Sequence, residues 1–338
     1  MIVPFCTAVC IILMHTLTGI CLCSESGGFR EITEQQVRAV EKGLKYLADT
    51  QNRDGSWDSG QYRMNPAVTA LACLAFMGNG NVPDGGKYAK EVERGQLFII
   101  KCQDEKGLIQ GFRVGNPMYG HGYATLFLAE IFGMTGSKMV KPHLRKAVDL
   151  IIASQKKDGG WRYTPDPRGG SDISVTVVQL MALRAARNTG ISIDYKVIKD
   201  AVDYILKSAC SDGGFSYTLQ NKRSGFARTA AGVTSLYVAG KYKGGEIEEG
   251  LKYLLARKND NGYLHWYYYG NYYAAHAMFQ AGGDYWKEWF PWIRDELLSK
   301  QQADGSWMRH SSAGPVFATA MAVMVLEIPY RYLPIFQR

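Results

Sequence analysis

Gln155-Lys156-Lys157-Asp158-Gly159-Gly160-Trp161 returns almost unchanged as Gln51-Asn52-Arg53-Asp54-Gly55-Ser56-Trp57 and as Gln301-Gln302-Ala303-Asp304-Gly305-Ser306-Trp307. Looser copies run from Gln103 to Ile109, Ala209 to Phe215 and Arg257 to Tyr263, so that successive starts lie 52, 52, 54, 48 and 44 residues apart. Gly stands at the fifth place except in the Arg257 copy, where Gly262 is sixth. A fixed punctuation mark at a period of about fifty residues is the signature of a repeat architecture.

Between the marks the grammar is constant. An amphipathic helix precedes each turn: in the first repeat Val40, Leu44 and Leu47 share one face, with Glu41, Lys42, Lys45 and Asp49 elsewhere. The Gly of the turn supplies the positive φ that other residues resist. Asn65-Pro66 then opens a second helix, Ala67 to Met77, apolar nearly all round and so covered on every side. The matching inner helices are Tyr123 to Phe132, Val175 to Ala186, Ala230 to Val238, Tyr272 to Phe279 and Val316 to Leu326. No alternating strand pattern of useful length is present. An open solenoid needs polar end caps, and the last inner helix is as apolar as the others. The expectation is an all-α, α6/α6 toroid over residues 25–338, closed on itself around a central cavity. In the turn, the Gln is expected to take carbonyls left unpaired at a helix end, and the Trp to lie over the Gln and a neighbouring helix.

Composition bounds the function. Of 338 residues, 46% are apolar and 21% charged, with a net charge of +8 that is scattered. No run of five like charges appears, so no nucleic-acid groove is expected. Residues 1–24 contain an apolar stretch and read as a secretory leader, with a membrane anchor as the competing reading; the expected location is exported, with association with a membrane surface as an option. Four of the seven cysteines lie in that segment. Cys73, Cys102 and Cys210 form neither a disulfide framework nor metal-ligand spacing.

The Gln…Asp-Gly-Ser/Gly-Trp turn between helical hairpins resembles the QW repeat of the prenyltransferase and squalene cyclase superfamily, over nearly the whole mature chain. In length the chain resembles secreted bacterial single-toroid prenyltransferase/squalene oxidase repeat proteins. The resemblance implies an apolar or isoprenoid ligand in the cavity. Triterpene cyclases carry Asp-x-Asp-Asp-Thr at the start of an inner helix, and its central Asp protonates an alkene or epoxide. This chain has Asp172-Ile173-Ser174-Val175-Thr176 there. Ser174 occupies the donor's place, and serine is not acid enough for that step. Protein prenyltransferases of this fold hold zinc through Asp, Cys and His; the region of Asp260 and Tyr272 to His276 has no Cys, so no metal and no cofactor is expected.

Polar groups at inner-helix entrances should gather near one mouth. Asp172 and His121 are the candidate catalytic residues, and Tyr119, Arg228, Tyr272, His276 and His310 the candidate substrate contacts. Asp172 reads equally as a helix cap. The aromatic run Trp266 to Tyr273 suits a carbocation, a sugar or plain packing. Two other functions remain in view: a secreted carbohydrate-active enzyme, which would need paired carboxylates, and a non-catalytic envelope scaffold. The only other inner-helix carboxylates, Glu130 and Glu327, lie near C-terminal ends, away from Asp172.

Overall fold

The computed structural model describes residues 31–111, 116–260, 266–308, 311 and 313–337. These belong to one compact unit, Glu31–Arg338. The outer helices are α1 (Glu34–Asp49), α3 (Ala89–Lys101), α5 (Val140–Ala153), α7 (Tyr195–Lys207), α9 (Gly245–Ala256) and α11 (Gly283–Lys300). The inner helices are α2 (Pro66–Gly78), α4 (Pro117–Thr135), α6 (Ile173–Asn188), α8 (Phe226–Val238), α10 (Tyr267–Ala281) and α12 (Pro315–Glu327). Each inner helix packs on the next, and α12 packs on α2, which closes the ring. One departure from the all-helical reading is a short hairpin, β1 (Ser216–Thr218) with β2 (Asn221–Ser224), between α7 and α8. It is too short, and mostly too polar, for an alternation to show in sequence.

The repeated turn works differently from its sequence-based expectation. The indole, not the Gln amide, takes a carbonyl from the last turn of the preceding helix: Trp57 Nε1 donates to Leu47 O (2.7 Å), Trp161 Nε1 to Ile151 O (2.7 Å) and Trp307 Nε1 to Leu297 O (2.8 Å). The Gln reaches forward instead. Gln51 Nε2 donates to Glu91 O (2.9 Å), Gln103 Nε2 to His143 O (2.9 Å) and Gln155 Nε2 to Val197 O (2.8 Å), each in the N-terminal part of the next outer helix. Each Gln also donates to the carbonyl of the turn glycine.

The glycine has two reasons to be glycine. Its φ is +89° at Gly55 and +100° at Gly159, where an L side chain is strained. A Cβ at Gly55 would also lie 2.2 Å from Arg94 O, and at Gly159 2.0 Å from Asp200 O, both on the next outer helix. Gln, Gly and Trp thus form a joint: the Trp holds the helix behind, and the Gln and Gly clasp the helix ahead.

The sixth joint closes the circle. Gln301 Nε2 donates to Ala39 O (2.8 Å), and a Cβ on Gly305 would lie 2.4 Å from Lys42 O, so α1 is gripped as α3, α5 and α7 are. Gln36 Nε2 donates to Leu326 O (2.7 Å) and Phe317 N to Ser59 Oγ (3.0 Å), reinforcing the seam.

If the ring is closed, no joint is terminal. Gln301→Ala and Gln155→Ala should then each cost about 1–2 kcal/mol, the loss of two part-buried hydrogen bonds, in urea denaturation. A negligible cost for Gln301→Ala beside a clear one for Gln155→Ala would mean free ends.

Candidate functional site

The N-termini of the six inner helices meet at one face. Asn65 caps α2, its Oδ1 accepting from Ala67 N (2.9 Å) and Val68 N (3.3 Å). Asp172 caps α6, its Oδ1 accepting from Val175 N (2.9 Å). Just inside this face, the equivalent place of each inner helix is partly exposed: Ala67, Tyr119, Ser174, Ala227, Tyr269 and Phe317. Four residues further down, Leu71, Tyr123, Val178, Ala231, Tyr273 and Met321 are all buried. The face therefore carries at most a shallow recess, closed within one helical turn, roughly 6 Å.

Its floor is a cross-strut. Tyr123 on α4 and Tyr273 on α10, helices opposite each other in the ring, join hydroxyl to hydroxyl at 2.9 Å. The deep central hollow expected from the sequence is filled at this level, because large tyrosines project inward from both sides. The Tyr273 ring packs edge-on against Tyr269 (4.7 Å) and Tyr272 (5.1 Å).

The polar heart of the recess is Ser174. Tyr119 Oη donates to Ser174 Oγ (2.6 Å), and Ser174 Oγ donates to Asp172 Oδ1 (2.7 Å). Tyr269, reaching over α8, donates to Ser174 O (3.2 Å). Asp172 is wholly buried, its Oδ2 has no hydrogen-bond partner, and the nearest cation is Arg162, with Nε 4.0 Å away. Burial raises the Asp172 pKa above the usual carboxylate range, against the pull of its hydrogen bonds and of Arg162. On one flank the Tyr119 ring lies 6.0 Å from Tyr163, whose hydroxyl meets that of Tyr217 on β1.

The sequence-based candidates divide. Asp172 and Tyr119 belong to the recess. Arg228 stands near its edge, with Nη1 donating to Arg223 O (2.8 Å). His310 lies outside the described residues, as does part of the Arg257 to Tyr263 copy. His121 corrects the expectation of a catalytic role. The helix begins at Pro117, two turns of sequence earlier than read, so His121 is inside α4 and buried. Its Nδ1 accepts from Ile109 N (3.1 Å), and its Nε2, which must then carry the proton, donates to Ala147 O (3.0 Å). Both nitrogens are consumed by backbone.

The other repeats explain why. Trp57 N donates to Thr69 Oγ1, Trp161 N to Thr176 Oγ1, Phe215 N to Thr229 Oγ1 and Trp307 N to Thr319 Oγ1, at 3.0–3.1 Å. His121 is the second repeat's substitute for that threonine, a signal available from aligning the repeats. Tyr272 and His276 likewise do not reach the recess: α10 begins at Tyr267, which carries them below the floor, where their rings pack at 4.7 Å and are buried. Ser174, Tyr269 and Phe317 were missed as site residues because only the ring geometry brings them together.

Glu130 and Glu327 occupy the opposite end. Glu130 accepts from Ile335 N (3.2 Å), and burial pushes its pKa up to about 8. Glu327 is buried beside Gly78.

Residues 41–265, more than half the chain, match the family described as the prenyltransferase alpha-alpha toroid domain. The chain belongs to that family. It is 25% identical over 203 residues to a squalene–hopene cyclase of Bradyrhizobium diazoefficiens, which covers 52% of this chain and 29% of that one. A probable squalene–hopene cyclase of Sinorhizobium fredii is 23% identical over 224 residues, covering 58% and 33%. The chain thus matches about a third of the length of these relatives. Among solved structures, a type II terpene cyclase from Scytonema in complex with geranylgeranyl dihydroxybenzoate is similar with a TM-score of 0.63, at 14% identity over 88% of this chain and 98% of that one. An alpha-1,6-mannanase of Salegentibacter reaches 0.65 at 8% identity over 86% and 98%. The toroid is therefore shared by proteins whose names denote unrelated chemistries.

His121 also supplies a pH test. Burial lowers its pKa from 6.5 to about 4, while in the unfolded chain it protonates near 6.5. The stability this neutral imidazole confers is full above 6.5 and is lost as pH falls toward 4. Replacing it with the repeats' own residue, His121→Thr, should flatten the stability loss between pH 7 and 4.5 by on the order of 2 kcal/mol. Denaturant titration at the two pH values measures it; an unchanged slope would show that His121 titrates normally.

Proposed function

We propose that the protein binds an apolar, isoprenoid-type ligand, gripping one end of it in the recess at the inner-helix N-termini. The observation that carries this reading is the wall itself: two Tyr, a Phe, two Ala and one Ser, one from each inner helix. Such a surface removes hydrocarbon from water and offers π faces to any electron-poor carbon. The ligand named with the Scytonema cyclase has an isoprenoid part, which agrees with the reading. Tyr62 (41% exposed), Met64 (47%), Trp266 (56%) and Met308 (57%), in segments adjoining inner-helix N-termini, extend apolar surface beyond the recess. They suit a longer chain draped outward or contact with a membrane surface. Export through the N-terminal segment belongs to the same proposal.

Cyclisation by the superfamily's acid is not part of the reading. Ser174 stands at the donor's position, is too weak an acid for that step, and already donates its hydrogen bond to Asp172. The carbohydrate reading draws on the mannanase likeness in fold, but glycoside hydrolysis needs two carboxyl groups across a cleft, roughly 5–10 Å apart. Among the described residues only Asp172 serves the recess, with Glu130 and Glu327 at the far end.

Extraction of the native protein with organic solvent, followed by mass spectrometry, should recover an isoprenoid lipid. Phe317→Asp puts a charge in the wall at a partly exposed site and should cut that recovery several-fold with little change in Tm. Recovery of sugar oligomers in place of lipid would reverse the ranking.

A further inference from the structure

Past α12 the chain turns back under the ring. It makes two short 3₁₀ turns, Ile328–Tyr330 and Pro334–Phe336, and the second lies on α4 and α6. Leu333 and Ile335 are buried there, while Arg331, Tyr332 and Gln337 are exposed. Two hydrogen bonds join this tail to the inner helices: Ile335 N donates to Glu130 Oε2 (3.2 Å), and Gln280 Nε2 donates to Gln337 O (3.2 Å). The seat is not fully packed. Pro334, Ile335 and Gln337 border a cavity of about 30 Å³ with Arg184, Tyr237 and Gln280.

The anchor on α4 is a buried carboxyl, and among the described residues the elements around it supply no counter-charge. On α6, Arg184 Nη1 turns to Val238 O (3.4 Å) and Arg187 is exposed. On α5, Lys141 lies over the Phe132 ring, His143 is bound to Gln103, and Arg145, Lys146 and Asp149 are exposed. The titratable side chain of α2, Cys73, faces Gly95 of α3. Tyr272 of α10 faces Glu130, with His276 against its ring. Glu327 of α12 faces Gly78. On the tail itself, Arg331 reaches Glu31 (3.7 Å) and the Phe279 ring. An ionised carboxylate buried without a cation is costly, whereas the neutral acid still accepts from Ile335 N.

We propose that residues 331–337 form a proton-dependent strap, which stays seated across the base while Glu130 carries its proton and lifts as that carboxyl ionises. Burial pushes the Glu130 pKa up to about 8, against the pull of the Ile335 amide. With the strap lifted, the carboxyl meets water and returns toward 4.5. The seated form therefore holds the proton more tightly: its stability is full below 4.5 and is lost as pH rises through 8. The inference is independent of the apolar-ligand reading, since the strap lies at the far end from the recess and its test needs no ligand.

The test is amide hydrogen exchange of the purified full chain at about pH 5.5 and 7.5, each rate divided by that of an unstructured amide at the same pH. Ionisation of this kind shifts an equilibrium by up to about tenfold per pH unit. Opening of residues 331–337 should rise at least about tenfold across the range, while α12 stays far better protected than the strap at both pH values. In Glu130→Gln, which keeps an oxygen for Ile335 N but has no proton to lose, the rise should vanish. Glu130→Met, likewise uncharged, serves the same purpose where glutamine is not tolerated. Strap opening that is equal at the two pH values in the unmodified protein, or a rise that persists in the uncharged variant, overturns the proposal.

Discussion

The joint in which a Gln amide and a bare Gly backbone seize the outer helix ahead is the constraint on which the remaining architecture rests. It fixes the spacing and tilt of successive hairpins, since a side chain at Gly55, Gly107, Gly159 or Gly305 would collide with the next outer helix's backbone. Repeating one fixed offset bends a row of hairpins into an arc. Here the arc comes full circle when Gln301 takes α1 as its partner. The apolar character of α12, which no end cap could carry, follows from that closure, as does the convergence of six helix N-termini on one face.

That convergence makes the mouth polar and aromatic while the body stays close-packed. The Asp-x-Ser-x-Thr variant shows how a shared frame can be kept while its chemistry changes. Thr176 holds the turn by accepting from Trp161 N, and Asp172 holds the helix start. Both framework roles of the cyclase-like motif survive. The two places between them differ: Val175 replaces the last Asp, and at the donor's position Ser174 has become a hub that accepts from two tyrosine hydroxyls and donates a hydrogen bond to Asp172. Fold likeness alone, shared by a terpene cyclase and a mannanase, cannot choose a chemistry; the residues at this hub can.

The toroid was legible in the sequence because its determinants are local and recur: a period, a glycine, an aromatic and two hydrophobic patterns. The capping roles of Asn65 and Asp172 were legible for the same reason. The recess was much less so. Tyr119 and Asp172 do lie at the face where the sequence placed them, but His121 does not, because the start of α4 was set too late, and the threonine it replaces is recognisable only when repeats are compared. Tyr272 and His276 were misplaced by the same boundary error at α10. The pairing of Tyr123 with Tyr273 joins residues 150 apart in sequence. Nothing in helical periodicity tells which of several inward tyrosines will meet across a ring, so the filling of the centre is a property of the closed ring and not of any one helix.

The base of the toroid is stoppered by the chain's own C-terminal segment: Leu333 and Ile335 are buried, and Ile335 N rests on Glu130. With the axis pinned by two phenols above it, the described part of the ring is shut both at its base and at mid-height. A ligand of the kind proposed would therefore come and go by the N-terminal face, and its release would be governed there and not by passage through the ring.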